Sequence, residues 1–174
     1  MKITVRKFTA KDTNDWDDFV NRSNNGTIFH LRSFLSYHID RTFIDHSLIF
    51  EKNGKIITVF PGALVKNEGQ VSLISHPGSS VGSCVVIENI AFADTLDITE
   101  ELVNHVKLQN INKIQITLPP IVYNRRVSQY MDFAFQQKGF TYLKREITSI
   151  LILENSIEGC LRKFKSSHRT AVRK

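Results

Sequence analysis

The sequence is poor in the features that mark several large protein classes. No apolar run approaches the ~18 residues that a membrane-spanning helix needs. The opening MKITVRKFTAKD has no apolar signal core, so a cytoplasmic location is expected. Only two cysteines occur, Cys84 and Cys160, far apart and in no CxxC or zinc-type spacing. They read as reduced thiols in a chain that does not rely on disulfides. His30, His38, His46, His76, His105 and His168 form no HExxH or other close ligand pair, so no metal site is expected. Internal repeats and low-complexity segments are also missing.

What is present fits one domain of ordinary size. The 174 residues are 41% hydrophobic and include twelve Phe, enough for a real core. The formal charge of +6 is local. Residues 162–174, RKFKSSHRTAVRK, hold six Lys/Arg and no acid, which leaves residues 1–161 neutral. A basic tail on a balanced body is a solvated helix as readily as a nucleic-acid contact.

Residues 2–8, KITVRKF, alternate as a strand does. In DTNDWDDFVNRSNNG, Trp16, Phe19 and Val20 have helical spacing, with Asp12 as the N-cap and Asn25-Gly26 as the stop. A second short helix is expected from about Leu31 to Ile39. The Asn53-Gly54 pair between apolar runs signals a type I′ hairpin, and KNEGQ turns the chain into a third strand, QVSLIS. These three strands make an antiparallel meander. CVVIENIAF is ambiguous. DITEELVNHVKLQN reads as a helix opening at Asp97, with Glu100 completing a capping box and Leu102, Val103 and Val106 on its apolar face. KIQITLPP reads as a buried strand. VSQYMDFAFQQKG reads as a helix striped by Val127, Met131, Ala134 and Phe135 and closed by Gly139. REITSILILEN reads as a strand of seven or more residues, and IEGCLRKFKSSHRTAVRK as one or two basic helical segments. The expected class is α/β with a mixed sheet, antiparallel first and parallel later.

One loop stands out. After VSLIS comes HPGSSVGS, where His76, Ser79 and Ser80 supply hydrogen-bonding groups at a strand end. Gly78 and Gly82 allow close approach of a ligand to the backbone. Tyr123, Asn124, Arg125 and Arg126 follow the next strand, and an Arg pair there suits a carboxylate or phosphate. Each has a plainer reading: His76-Pro77 as a turn, Arg125 and Arg126 as solvated residues, His38 as a histidine on an amphipathic face.

The element order, together with NNGTIFHLRSFLSYH, LISHPGSSVGS and FAFQQKGFTYLKREITSILIL, resembles the GNAT-like acyltransferases. It is most similar to the Fem-type peptidoglycan aminoacyltransferases of bacteria. The Lys138-Gly139-Phe140 turn is similar to the helix-to-strand turn of GNAT proteins. The resemblance implies a GNAT-like domain over residues 1–155 and a basic helical tail over 156–174, which is either the start of a second half or the end of a half that works alone. It implies transfer of an acyl or aminoacyl group to an amine on a small molecule or cell-envelope precursor. Acyl-CoA or aminoacyl-tRNA would be the co-substrate. It also brings Tyr37 and His38 to the same cleft as the Gly/Ser loop.

Two departures qualify what the resemblance implies. GNAT enzymes seat a pyrophosphate on a Gly-rich turn that opens their third helix. Here Asp97, Glu100 and Glu101 occupy the expected first turn, and like charges ~4 Å apart repel by about 1 kcal/mol even in bulk water. The donor is therefore not expected to bind in this half. In addition, Phe135 stands where many GNAT enzymes have a general-acid tyrosine, so no catalytic residue is assigned. The alternative is a non-catalytic GNAT-like binding module that has lost its donor site. Nucleic acid is expected only at the basic tail.

Overall fold

The computed structural model describes residues 2–37, 43–147 and 149–172. They form two compact units, Met1–Thr141 and Tyr142–Lys174.

The first unit opens with β1 (Thr4–Lys7) and a 3-10 turn, Ala10–Asp12, that leads into α1 (Thr13–Arg22). Trp16, Phe19 and Val20 are buried as their spacing predicts. Asp12 takes the N-cap position of α1 as expected, but its side chain makes no capping bond there. Its carboxylate reaches back to accept hydrogen bonds from Thr9 N and Thr9 Oγ1, both at 2.8 Å. It also pairs with Arg6 at 2.9 Å, which holds its pKa down at about 2. Helix α2 is only Arg32–Leu35, shorter than expected; Ile39 and His38 lie outside the described residues.

β2 (Ile44–Asp45), β3 (Leu48–Lys52), β4 (Lys55–Phe60), β5 (Gly62–Asn67) and β6 (Gln70–Ser75) follow. Asn53 and Gly54 have φ of 55° and 70°, as a type I′ turn requires. Glu68 and Gly69 repeat the device at 48° and 78°. The expected three-strand meander is four strands split between two sheets. Pro61 lacks the N–H a ladder needs, so the run KIITVFPGALVK breaks there into β4 and β5. With β7 (Val85–Val86) and β8 (Lys113–Gln115), the strand orders are β1-β3-β4-β7 and β2-β5-β6-β8. Every pairing is antiparallel except β6–β8, which is parallel and joined through α3 (Phe92–Leu108).

Helix α3 corrects the reading that placed its start at Asp97. Its N-cap is Ala91, and no side chain caps it. Thr95, Ile98, Thr99, Leu102 and Val106 make the buried face. Thr95, in the turn before Asp97, hid the true start from an apolar-pattern reading, and Thr99 adds a second polar residue to the buried face. Each satisfies its hydroxyl on its own helix, Thr95 Oγ1 to Phe92 O at 2.7 Å and Thr99 Oγ1 to Thr95 O at 2.8 Å.

The first sheet carries helices on both faces. Leu48, Phe50 and Phe60 pack with Ile98, Leu102 and Val106 of α3. Ile49, Val59 and Val85 pack with Trp16, Phe19 and Leu35. Strand alternation sends successive side chains to opposite layers. Helix α4 (Tyr130–Gln137) buries Ala134 and Phe135, whereas Val127 precedes it and is exposed. Its end is a Schellman motif. Phe140 N donates to Phe135 O and Gly139 N to Gln136 O, both at 3.0 Å, with Gly139 at φ 86°. The rings of Phe135 and Phe140 meet with centroids 5.1 Å apart, closing the turn with an apolar contact.

The second unit holds α5 (Ile157–Arg162), where Glu158 balances Arg162, and α6 (Ser166–Val172), which carries Arg169 and no acid. The expected strand REITSILILEN does not form among the described residues. Ile147, Ile150, Leu151, Ile152 and Leu153 are exposed and belong to no strand among the described residues. β-propensity alone cannot make a strand, because each backbone group needs a neighbour to bond to. Among the described residues, no helix is long and apolar enough to cross a membrane.

Candidate functional site

The parallel pair β6–β8 directs two chain ends to one place, the position where open α/β sheets bind ligands. At those ends, residues 75–83 and 117–126 meet residues 21–30, the last residues of α1 and the stretch after it.

The Gly/Ser loop folds back onto the strand ends. Thr117 N donates to Ser75 Oγ at 2.8 Å, and Gly82 N donates to Thr117 O at 2.8 Å. A Cβ on Gly82 would lie 2.6 Å from Ser75 Oγ and 2.9 Å from Ser75 O, so only glycine fits. Gly82 O faces His30 Nε2 at 2.9 Å. A carbonyl only accepts, so Nε2 carries the proton. Nδ1 then accepts from Thr27 N at 3.1 Å. Burial holds the His30 pKa below its ordinary value, and both ring nitrogens are engaged. His30 is thus a neutral strut between the loop and the segment after α1.

The same segment grips the other strand end. Asn24 Nδ2 donates to Arg126 O at 3.0 Å, and Arg126 N donates to Asn24 Oδ1 at 2.7 Å. Asn25 does likewise for the chain entering β7. Its Nδ2 donates to Cys84 O at 2.8 Å, and its Oδ1 accepts from Val86 N at 2.9 Å. These buried amides act as a strand's own backbone would. The Asn25-Gly26 pair is therefore more than a helix stop, and α1 ends earlier, with Ser23 as its C-cap.

The residues singled out from sequence fall as follows. His76 is buried, its ring edge-on to Phe43 at 5.3 Å. Pro77 and Gly78 are the central residues of a turn closed by Ser79 N to His76 O at 3.1 Å, with Gly78 at φ 85° as a type II turn demands. Ser79 Oγ donates to Val81 O at 2.7 Å and faces Phe29 O at 3.4 Å. Gly78 and Ser80 are exposed at the tip. Tyr37 is exposed, its ring 5.1 Å from Phe34, which in turn meets Phe29 at 5.1 Å. Tyr123 is exposed at the end of a 3-10 turn, Ile121–Tyr123. The Arg125 guanidinium donates to Asn21 O, and that of Arg126 to Asn89 Oδ1 at 3.1 Å. His38 lies outside the described residues. Sequence reasoning missed Asn24, His30, Ser75 and Thr117, because their pairing joins distant stretches.

A hollow of about 910 Å³, open to solvent, lies at the start of α3, lined by Phe92, Ile121, Val127, Tyr130 and Phe133 among others. The Phe92 ring meets Tyr130 at 5.5 Å and Phe133 at 5.6 Å. The expected crowd of carboxylates is not there. Asp94 is the acid of the first turn, and Lys52 neutralises it at 2.5 Å. Asp97 comes later in the helix, and Glu100 pairs with Lys138 at 2.8 Å. The electrostatic objection to an anion at this helix start therefore falls.

Cys84 is fully buried, and burial pushes its thiol pKa up. Among the described residues, no three His, Cys, Asp or Glu side chains are grouped to hold a metal ion.

No protein-family model matches the chain, and no curated protein matches it. Solved structures do. The chain is similar to a ribosomal-protein-alanine N-acetyltransferase from Brucella melitensis (10% identity, TM-score 0.53, covering 88% of this chain and 100% of that one). It is similar to a GNAT family acetyltransferase from Staphylococcus aureus (12%, 0.51, 87% and 100%). The fold is that of the GNAT acetyltransferases. The aminoglycoside 6'-N-acetyltransferase AAC(6')-Ih from Acinetobacter baumannii is a further match (11%, 0.50, 87% and 99%). Within this GNAT-like fold, Phe135 lies four residues ahead of the turn glycine. It is buried in the core, where it has no proton to give.

Proposed function

We propose that this GNAT-like domain is an N-acyltransferase that moves an acyl group from an activated carrier to an amine. The observation that carries this reading is the GNAT fold with polar segments brought together at the carboxyl ends of β6 and β8. In the reaction, the amine nitrogen attacks the activated carbonyl. A C–N bond forms and the carrier's C–S or C–O bond breaks. The proton lost from nitrogen leaves with the thiol or hydroxyl. No covalent enzyme intermediate enters, so the protein contributes orientation and polar groups. Ser80, Tyr123 and the Pro77-Gly78 turn form the exposed wall on the acceptor side. Tyr37 and His38 belong to that wall if the Fem-type resemblance extends to them.

The finer form of the proposal is Fem-type transfer from aminoacyl-tRNA to a cell-envelope precursor in a bacterial cytoplasm, with a second GNAT-like half. The six Lys/Arg of residues 162–174 suit a nucleic-acid carrier. Acyl-CoA is the competing donor, and the uncrowded start of α3 is compatible with it. A release assay separates the possibilities. Thiol release from acetyl-CoA with an amine panel is compared with deacylation of mixed aminoacyl-tRNAs. Transfer from either donor, with the N-acyl product seen by mass spectrometry, supports the reading. No product from either donor overturns it.

One observation favours a second reading, a binding module without transfer. The bonds from Thr117 to Ser75 and Gly82 close the space just beyond the strand ends, and Phe135 supplies no acid. That reading predicts calorimetric binding of an amine ligand with no product.

A further inference from the structure

His46 sits where the chain passes from β2 in the second sheet to β3 in the first. Its N–H donates to Gly62 O at 2.8 Å, just past the Pro61 corner where the chain crosses between the sheets again. Both crossovers therefore meet at this residue. Its imidazole faces α3, and His46 Nε2 lies 2.9 Å from His105 Nε2, the rings inclined at 55°. A bond between two ring nitrogens needs one donor and one acceptor. It survives with both rings neutral or with one charged. With both charged it has two donors, no acceptor, and two positive charges in contact.

The surroundings make the second proton costly. His46 is 3% exposed, so water does not solvate a charge there. Lys7 of β1 adds positive charge near both rings. Asp45 of β2 is the carboxylate that faces His46, but it already accepts from Ser47 N at 2.7 Å and pairs with Arg32.

We propose that the His46–His105 pair is an acid-released latch, which holds the C-terminal half of α3 against the sheet crossover until both rings are protonated. Burial, then Lys7, then the neighbouring ring push the His46 pKa down to about 4. Burial and then Lys7 push His105 down as well. Depressed histidine pKa values mean that the unfolded chain binds protons more readily. The stability is therefore full above the unfolded value of about 6.5, and is lost as pH falls towards about 4. Because α3 connects β6 to β8, its release loosens the parallel pair at the candidate site. The latch does not depend on the acyltransferase reading.

Hydrogen exchange on the full chain tests it, with rates corrected for the intrinsic effect of pH. Between about pH 7 and about pH 4.5, amides of residues 103–108 should lose about tenfold or more of their protection while β3 and β4 keep theirs. His105→Gln, which leaves His46 as the one ring of the pair that can charge, should lose clearly less of that protection than the wild type. Parallel loss over α3 and β3–β4, or the same loss in H105Q as in the wild type, overturns the latch. If H105Q does not fold, ring titration by NMR on the wild-type chain decides. Two coupled transitions below about 6.5 support the latch, and two independent ones near that value overturn it.

Discussion

Replacing Gly82 by Ala tests the central joint of the site. The added Cβ would lie 2.6 Å from Ser75 Oγ, 2.7 Å from Ser75 Cβ and 2.9 Å from Ser75 O. Ordinary carbon contacts are about 3.5–4.0 Å, so the loop must move by several tenths of an ångström or more. That movement strains two bonds made by this residue, Gly82 N to Thr117 O at 2.8 Å and His30 Nε2 to Gly82 O at 2.9 Å. Overpacking costs about 1–3 kcal/mol. Each weakened hydrogen bond adds about 1 kcal/mol. The expected loss is about 3–5 kcal/mol, a large share of a total stability of about 5–15 kcal/mol. In urea, with a mid-range slope of about 2 kcal/mol/M, the midpoint should fall by about 1.5–2.5 M with the slope unchanged. Ser75→Gly removes two of the three clashing atoms, so the double variant should lose less than the sum of the single losses. A loss below about 0.5 kcal/mol, the range of ordinary surface substitutions, would refute the claim that this loop is locked to the strand ends.

Thr58 Oγ1 is buried without a hydrogen-bond partner among the described residues, so Thr58→Val should stabilise by about 1–2 kcal/mol, read as a higher urea midpoint. Phe135→Tyr puts a hydroxyl into the apolar cluster around Phe140 and should destabilise by about 1–3 kcal/mol. It should also produce no gain in acyl transfer; a gain would show that the tyrosine reaches reacting atoms. At Gly139 a Cβ meets nothing within 4 Å, so Gly139→Ala tests backbone strain alone. Thermal unfolding should show a loss of about 1–2 kcal/mol for Ala and less for Asn, which tolerates positive φ better.

Local chemistry was legible wherever one stretch of chain was enough. The Asn53-Gly54 turn, the buried face of α1 and the Gly139 helix end all follow from residues that act on their near neighbours. The mixed α/β class followed from the order of such stretches. The early start of α3 was misread because Thr95 looks polar, yet it satisfies its hydroxyl within its own helix. The carboxylate argument at Asp97 failed with it.

The sequence by itself determined the turns, the helix faces and the residues available for chemistry, because those depend on backbone sterics and on side-chain period. Only the tertiary structure decided that Pro61 divides one apolar run between two sheets, and that SILIL finds no partner strand in its own unit. It alone decided that His46 meets His105 across fifty-nine positions, and that Asn24 and His30 clamp the strand ends. Hydrogen bonds between distant stretches depend on where the chain returns, and no local pattern encodes that return.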